Sequence, residues 1–157
     1  MLKWLQGLIE GFALRVYRGG ARELKAKSAT WEQIEILSEP AMLPRLLEAL
    51  DFVLSNAPRS SEIIRQSLKT VICANGIMTK TLPVTRVFLI DARELEAAEK
   101  ESLAYMLVQS AAYCAFYANR TIFIPTLFFR KRDKQAREEA KQFSVAFRNE
   151  TDLRRRF

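Results

Sequence analysis

The stretch S-L-A-Y-M-L-V-Q-S-A-A-Y-C-A-F-Y-A-N, residues 102–119, decides the fold because it runs for eighteen residues without a charge. A transmembrane helix needs about 20 predominantly apolar residues, and this stretch is shorter and contains several polar side chains. A helix that is apolar on most sides is normally a core helix of a globular domain. We therefore predict that this stretch forms a long central helix covered by the rest of the chain.

Two apolar runs before this helix predict strands. The runs T-V-I-C-A at 70–74 and T-R-V-F-L-I-D at 85–91 are rich in β-branched and aromatic residues, as buried strands are. Further helical segments are predicted at 2–18, 30–37, 43–55, 60–68, from 92 onward and at 133–149. We therefore predict one helix-rich α+β domain over residues 1–157, with a small sheet and a long buried central helix. Residues 121–129 are expected to be extended, and residues 150–157 to form a basic tail.

Histidine is absent from the 157 residues, and this absence excludes several kinds of chemistry. Ser-His-Asp hydrolysis, Cys-His proteolysis and histidine-zinc sites all need this side chain. The glycines lack the spacing of phosphate-binding loops, and Cys73 and Cys114 have the apolar neighbours typical of unreactive thiols. We therefore expect no catalytic residue, cofactor, metal or small-molecule substrate. An enzyme that uses carboxylates, cysteine or lysine in place of histidine is the alternative.

Basic side chains are concentrated at the two ends of the chain. The net charge is +7, with six basic and two acidic side chains in residues 1–27 and eleven basic and five acidic in residues 117–157. Residues 28–116 carry eight basic and eleven acidic side chains. This distribution indicates an anionic partner, which is nucleic acid, lipid headgroups or an acidic protein. A basic surface that serves only to keep the protein in solution is the alternative.

The N-terminal segment is predicted to be an amphipathic helix with a basic polar side that ends at Gly19-Gly20. Tryptophan, phenylalanine and arginine side chains on such a helix are typical of docking on a membrane surface or on a partner protein. The candidate partner-binding residues are Trp4, Leu8, Phe12, Arg15 and Arg18. The alternative is that the apolar face of this helix packs on the core of its own domain.

The same segment bears on localisation. Glu10 interrupts its apolar run and no small-residue cleavage site follows, so we expect no signal peptide. We expect a cytoplasmic protein whose residues 1–20 dock outside the core. Its partner is expected to be a protein or an anionic membrane surface, the latter making the protein peripheral to a membrane.

Nucleic-acid binding is the second functional hypothesis. Its candidate residues are Arg120, Arg130, Lys131, Arg132, Lys134 and Arg137. Cations next to aromatic side chains contact phosphates and stack on exposed bases, and Phe128 and Phe129 lie beside this cluster. However, acidic residues dilute the cluster, and the chain has no recognised nucleic-acid-binding motif.

Two further segments carry a family resemblance. The chain reads L-A-Y-M-L-V-Q at 103–109 and R-E-E-A-K-Q-F-S at 137–144. Both are similar to segments of the zincin-type metallopeptidases, in which a helix reads approximately L-A-H-E-L-x-H after a strand. A later helix of that family, approximately E-x-x-A-D-x-F-A, supplies the third zinc ligand. The resemblance implies a zincin-like scaffold over about residues 68–147.

The residues that would hold the metal are replaced in this chain. The resemblance places Tyr105 and Gln109 at the two histidine positions, Met106 at the glutamate position and Glu139 near the third ligand. Tyr and Gln are poor zinc ligands and Met is not a base, so zinc chemistry is lost. The implied protein is a metal-free former enzyme that acts as a non-catalytic binding or assembly module. An unrelated helix-rich α+β domain with similar packing residues is the alternative.

Overall fold

The computed structural model describes the backbone of residues 2–23, 27–118 and 129–154, and the side chains of residues 4–20, 27–118 and 133–152. The helices are α1 (Leu2–Glu23), α2 (Leu43–Asn56), α3 (Pro58–Ser67), α4 (Ala92–Ala97), α5 (Lys100–Ala118) and α6 (Phe129–Arg154). The strands are β1 (Lys27–Trp31), β2 (Ile34–Ser38), β3 (Thr70–Ala74), β4 (Lys80–Leu82) and β5 (Val87–Asp91).

The strands form one mixed sheet in the order β1-β2-β3-β5-β4. The three inner strands are parallel to one another, and β1 and β4 are antiparallel to their neighbours at the two edges. Every residue of the central strand β3 is buried. Its continuous apolar run is explained by this position, because a parallel strand in the middle of a sheet is covered on both faces.

Helices cover both faces of the sheet. Alternate residues of a strand point to opposite faces, so Val71 and Cys73 pack with α2, α3 and α5, whereas Ile72 belongs to a separate cluster. Leu14 and Tyr17 of α1 pack against that second cluster. The sheet is therefore the middle layer, with α1 on one face and the larger helical layer on the other.

Helix α5 is the predicted central helix. Ten of its nineteen residues are buried, and it packs against α2, α3, α6 and the edge strand β4. Helix α4 is a separate short helix, because the extended backbone of Ala98 interrupts the helical run. The prediction of a helix-rich α+β domain with a small sheet and a long central helix is confirmed.

Residues 30–37 form most of a β-hairpin, so the predicted helix there is wrong. Ile34, Ile36 and Ser38 are buried and alternate with half-buried residues, which is the period of two that a strand requires. Glu32 adopts a left-handed φ of 54° in the two-residue turn between β1 and β2. The segment is too short for its apolar spacing to separate a helix from a strand, and pairing of β2 with β3 decides the outcome.

The two predicted strands are confirmed, and a third strand, β4, was missed in addition to the two strands of the hairpin. Strand β3 has the predicted bounds, whereas β5 begins at Val87 because Arg86 takes a left-handed φ of 63°. Strand β4 has only three residues, which is too short for a recognisable pattern in the sequence.

Two helices extend beyond their predicted ends. Helix α1 continues through Gly19-Gly20 to Glu23, since glycine permits a helix to end but does not require it. Helix α6 reaches Arg154, so it includes residues 150–154, which were expected in the tail. Residues 119–128, with most of the predicted extended segment, and residues 155–157 lie outside the described residues. None of the described helices combines the length and the apolar character needed to cross a bilayer.

Candidate functional site

Helix α1 contacts the sheet through a narrow inward face. Leu14 and Tyr17 pack on the cluster that contains Ile72 of β3. Glu10 is only 5% exposed, and its carboxylate accepts hydrogen bonds from the backbone N–H of Thr85 at 2.8 Å and from the Thr85 hydroxyl at 3.1 Å. These contacts fix which side of α1 meets the sheet.

The opposite side of α1 is apolar and exposed. Trp4 is 68% exposed, Leu8 51% and Phe12 71%. The six exposed apolar side chains that we call the outward face of α1 are Trp4, Leu5, Leu8, Ile9, Phe12 and Val16. Their spacing of mainly four residues places them on one side of the helix. A contiguous exposed apolar surface of this kind marks an interaction site.

The described charged side chain on the outward side of α1 is basic. Arg15 is exposed there. Glu10 is the only acidic residue between positions 2 and 22 of the sequence, and its carboxylate is buried on the inward side. The described side chains on the exposed side of α1 therefore include basic and apolar groups but no carboxylate.

The structure exposes four of the five predicted partner-binding residues together on α1, namely Trp4, Leu8, Phe12 and Arg15. The fifth, Arg18, is directed to the sheet instead, where it forms an ion pair with Glu35 of β2. The Glu35 carboxylate also accepts a hydrogen bond from the hydroxyl of Thr70 at 3.3 Å. Arg18 thus helps to attach α1 to the sheet.

A second candidate site is a cavity of about 300 Å³ between β4, α5 and α6, which we call the β4–α5 cavity. The described residues that line it are Thr79, Lys80, Thr81, Phe88, Met106, Gln109, Ser110, Tyr113, Arg137 and Ala140. Its α5 residues recur every three or four positions, so one side of that helix forms a wall of the cavity. The Thr81 hydroxyl donates a hydrogen bond to the Ser110 hydroxyl at 2.9 Å, which ties the edge strand to the helix.

Tyr113 and Arg137 meet at the carboxylate of Asp133 on α6. The Tyr113 hydroxyl donates a hydrogen bond to this carboxylate, which also accepts one from Nε of Arg137 at 2.8 Å. Burial and the neighbouring carboxylate raise the pKa of Tyr113 well above its ordinary value, because both disfavour the phenolate. The hydrogen bond to Asp133 raises the pKa of Arg137. The tyrosine is therefore neutral and the guanidinium charged at physiological pH.

The four residues that the zincin resemblance assigns to a former metal site do not line one cavity. Gln109 and Met106 line the β4–α5 cavity. Tyr105 and Met106 line a different cavity of about 370 Å³, where the guanidinium of Arg148 lies 4.7 Å from the centroid of the Tyr105 ring. Glu139 is half-buried on α6, where its carboxylate accepts a hydrogen bond from Gln135 at 3.1 Å, and it lines neither cavity.

The structure describes the side chains of two of the six predicted nucleic-acid-binding residues. Arg120 lies outside the described residues, and Arg130, Lys131 and Arg132 belong to α6 without described side chains. Lys134 is exposed. Arg137 is bound to Asp133 and lines the β4–α5 cavity, so its charge is partly compensated within the protein.

Sequence reasoning missed most of the residues that line the β4–α5 cavity. Gln109, Ser110 and Tyr113 are polar residues within an otherwise apolar helix, and their spacing is a signal of one polar side. Lys80 and Thr81 carried no such signal, because they belong to the short strand that the sequence pattern did not reveal.

Both thiols are buried within the domain. Burial raises the pKa of Cys73 to about 11, and it also raises the pKa of Cys114. Both are thiols rather than thiolates at neutral pH, as expected for unreactive cysteines. Within residues 2–23, 27–118 and 129–154, no three His, Cys, Asp or Glu side chains are grouped so as to hold a metal ion.

Comparison with known proteins gives no match: no family model fits the chain, and neither the curated proteins nor the solved structures contain a significantly similar one.

Proposed function

We propose that this protein is a non-catalytic binding module that docks on an anionic membrane surface through the outward face of α1. The observation that carries the proposal is the exposure of the apolar side of α1, where Trp4 and Phe12 are 68% and 71% exposed. An amphipathic helix of this kind lies in the plane of the membrane interface, with its apolar side chains among the acyl chains.

The charges beside this surface support a membrane rather than a partner protein. Arg15 is exposed on α1, and the only acidic side chain in residues 2–22 is buried against the sheet. Anionic headgroups attract each nearby basic side chain by about 1 kcal/mol, whereas a carboxylate at the interface would be repelled. The large aromatic side chains at positions 4 and 12 suit the boundary between headgroups and acyl chains.

The attachment of α1 to the sheet also supports the proposal. Leu14 and Tyr17 hold α1 through its other side, so the outward face can enter an interface without the helix leaving the domain. Insertion then exposes none of the apolar core to water. The domain serves as a rigid carrier for a preformed docking helix.

The proposal does not depend on the zincin resemblance. An inactive zincin-like scaffold remains a proposal of its own, supported by the segments at 103–109 and 137–144. Tyr105 and Gln109 line different cavities, so the residues of the implied former metal site do not surround one common space.

Vesicle flotation tests the proposed function. The protein is mixed with vesicles of phosphatidylcholine alone or with 30 mol% phosphatidylserine added, at two salt concentrations. We expect flotation with the anionic vesicles, weakened by salt because the headgroup attraction is screened. The double substitution Trp4→Ser with Phe12→Ser should weaken binding by at least about tenfold, since each large apolar side chain contributes on the order of 1.5–3 kcal/mol when buried.

Phe143→Ser provides the matched control, because Phe143 is an apolar residue on α6 that is 45% exposed. We expect this variant to float like the unmodified protein. Failure of the unmodified protein to float with anionic vesicles, or equal loss of binding in Phe143→Ser, would overturn the proposal and favour a protein partner for α1.

A further inference from the structure

We propose that the β4–α5 cavity binds a small uncharged molecule that carries a primary amide on an apolar ring. The cavity volume of about 300 Å³ lies at the lower end of the range of small-ligand sites, which is roughly 300–1,000 Å³. The cavity lies between the sheet and α5, on the face of the sheet opposite to α1. This inference therefore does not rest on the proposed membrane docking.

The register of the edge strand decides which β4 side chains face the cavity. Thr81 is paired with Phe88 of β5, which packs in the same cluster as the buried residues of α5. Lys80 and Leu82 point to the other face, because alternate residues of a strand do. Leu82 belongs to the cluster on which α1 packs, and the Lys80 ammonium lies 5.5 Å from the centroid of the Tyr17 ring. Lys80 therefore brings no charge into the cavity.

The remaining charge at the cavity is balanced. Arg137 is the other basic residue among the described lining residues, and its Nε–H donates a hydrogen bond to the Asp133 carboxylate at 2.8 Å. Tyr113 donates a hydrogen bond to the same carboxylate. An anion would lie near Asp133 without an uncompensated cation to attract it, and a cation would lie near the guanidinium of Arg137. Since burying an unpaired charge costs free energy, the lining favours an uncharged ligand.

Gln109 is the polar lining residue with free hydrogen-bonding groups. It is half-buried in the α5 wall of the cavity, and its side-chain amide makes no hydrogen bond to another described residue. Such an amide offers two N–H donors and a carbonyl acceptor. A primary amide on the ligand offers the same groups, so the two amides can pair through two N–H···O=C hydrogen bonds. A carboxylate has no donor and cannot complete this pair.

The apolar part of the lining suits a ring next to the amide. Phe88 of β5, Met106 of α5 and Ala140 of α6 all line the cavity. Thr81 and Ser110 also line it, and their hydroxyls are hydrogen-bonded to each other at 2.9 Å. Ligand sites typically combine a mostly apolar wall with a few polar groups that fix the orientation of the ligand. An aromatic ring that carries one amide matches this division.

Nuclear magnetic resonance titration with benzamide tests this site. Benzoate has nearly the same shape but a negative charge, and acetophenone has nearly the same shape but no N–H donor. We expect benzamide to cause saturable shifts of the backbone amide signals at 79–82 and 109–113. Benzoate and acetophenone should each bind about tenfold more weakly, as expected when hydrogen bonds to Gln109 are lost.

Substitutions test whether Gln109 recognises the amide. Gln109→Leu should weaken benzamide binding by about tenfold and should make benzamide and acetophenone bind equally, because the amide then has no partner. Gln33→Leu is the matched control, since Gln33 is exposed in the turn between β1 and β2 and does not line this cavity. Lys80→Met should also leave the affinity for benzamide unchanged.

Three results would overturn the inference. The first is the absence of saturable shifts with benzamide, and the second is binding of benzoate or acetophenone as tight as that of benzamide. Both are measured on the unmodified protein, so they decide the question even if a variant fails to fold. The third is unchanged affinity for benzamide in Gln109→Leu when this variant retains the dispersed spectrum of a folded protein.

Discussion

The carboxylate of Glu10 on α1 accepts two hydrogen bonds from Thr85, one from its backbone N–H and one from its hydroxyl. Glu10 also accepts a hydrogen bond from Gln6 at 2.9 Å one turn earlier. The Glu10 carboxylate faces the sheet. The exposed apolar residues on the other side of α1 therefore have no described acidic side chain of this helix beside them. The contact between Glu10 and Thr85 thus keeps the carboxylate of Glu10 away from the outward face of α1.

Replacing Glu10 should destabilise the domain. Glu10→Ala leaves the N–H of Thr85 without its acceptor, and a buried donor without a partner costs about 1–3 kcal/mol. Urea unfolding should show this loss, and amide hydrogen exchange at Thr85 should accelerate. Glu96→Ala is the control, because Glu96 is exposed on α4, and it should change stability by less than about 0.5 kcal/mol. Equal stability of the two variants would contradict the role given to Glu10.

Two glycine substitutions should have opposite effects. Gly19 lies within α1 and an added Cβ would meet nothing within 4 Å, so Gly19→Ala should stabilise the protein by about 0.5–1 kcal/mol. Gly76 has a φ of +74°, so Gly76→Ala should destabilise it by about 1–2 kcal/mol. Chemical unfolding of both variants measures whether each substitution raises or lowers the free energy of unfolding. A destabilising Gly19→Ala would argue against the continuation of α1 through this position.

The Tyr113 hydroxyl should contribute to the attachment of α6 to α5. Tyr113→Phe removes a donor from the Asp133 carboxylate, and we expect a loss of about 1.5 kcal/mol because hydrogen bonds to charged groups are the stronger ones. Tyr105→Phe is the matched control, because the Tyr105 hydroxyl makes no hydrogen bond to another described residue. Thermal unfolding of both variants gives the comparison, and a similar small effect of the two would contradict this prediction.

Alkaline pH should lower the free energy of unfolding, in part because of the Cys73 thiol. Burial raises the pKa of this thiol from 9.0 to about 11, so above pH 9 the unfolded chain loses a proton that the folded chain still holds. Stability is therefore unaffected by this group below pH 9 and falls as the pH rises from 9 to about 11, by at most about 1.4 kcal/mol per pH unit. Urea unfolding across this range should show a shallower fall for Cys73→Ala. Parallel pH profiles of the two proteins would contradict the prediction.

The sequence predicted the elements whose pattern is long or strongly apolar. The uncharged stretch at 102–119 identified the central helix, and the run at 70–74 identified the central strand. Segments that are covered by other elements consist mainly of apolar and uncharged residues, so their composition reveals them. The hairpin of β1 and β2 was missed because Trp31 and Ile34 also fit a helix over so short a segment. Pairing with β3 settles the question, and that pairing is not visible locally.

The candidate sites were predictable to different degrees. The apolar residues of α1 were evident from their spacing, but spacing alone could not say which side of the helix meets the sheet. Glu10 decides this through Thr85, a residue 75 positions away in the chain. The β4–α5 cavity was not predictable, because it depends on how an edge strand of three residues and a distant helix approach α5.

Tryptophan fluorescence tests the central claim, that the outward face of α1 enters an anionic membrane surface, most directly. The chain has two tryptophans, of which Trp4 is 68% exposed and Trp31 only 7% exposed, with its indole N–H bound to Asp51. On addition of phosphatidylserine-containing vesicles we expect the emission to shift to shorter wavelength and to be quenched by lipids brominated near the headgroup. Both changes should be absent in Trp4→Phe. An emission spectrum of the unmodified protein that does not change with anionic vesicles would contradict the account.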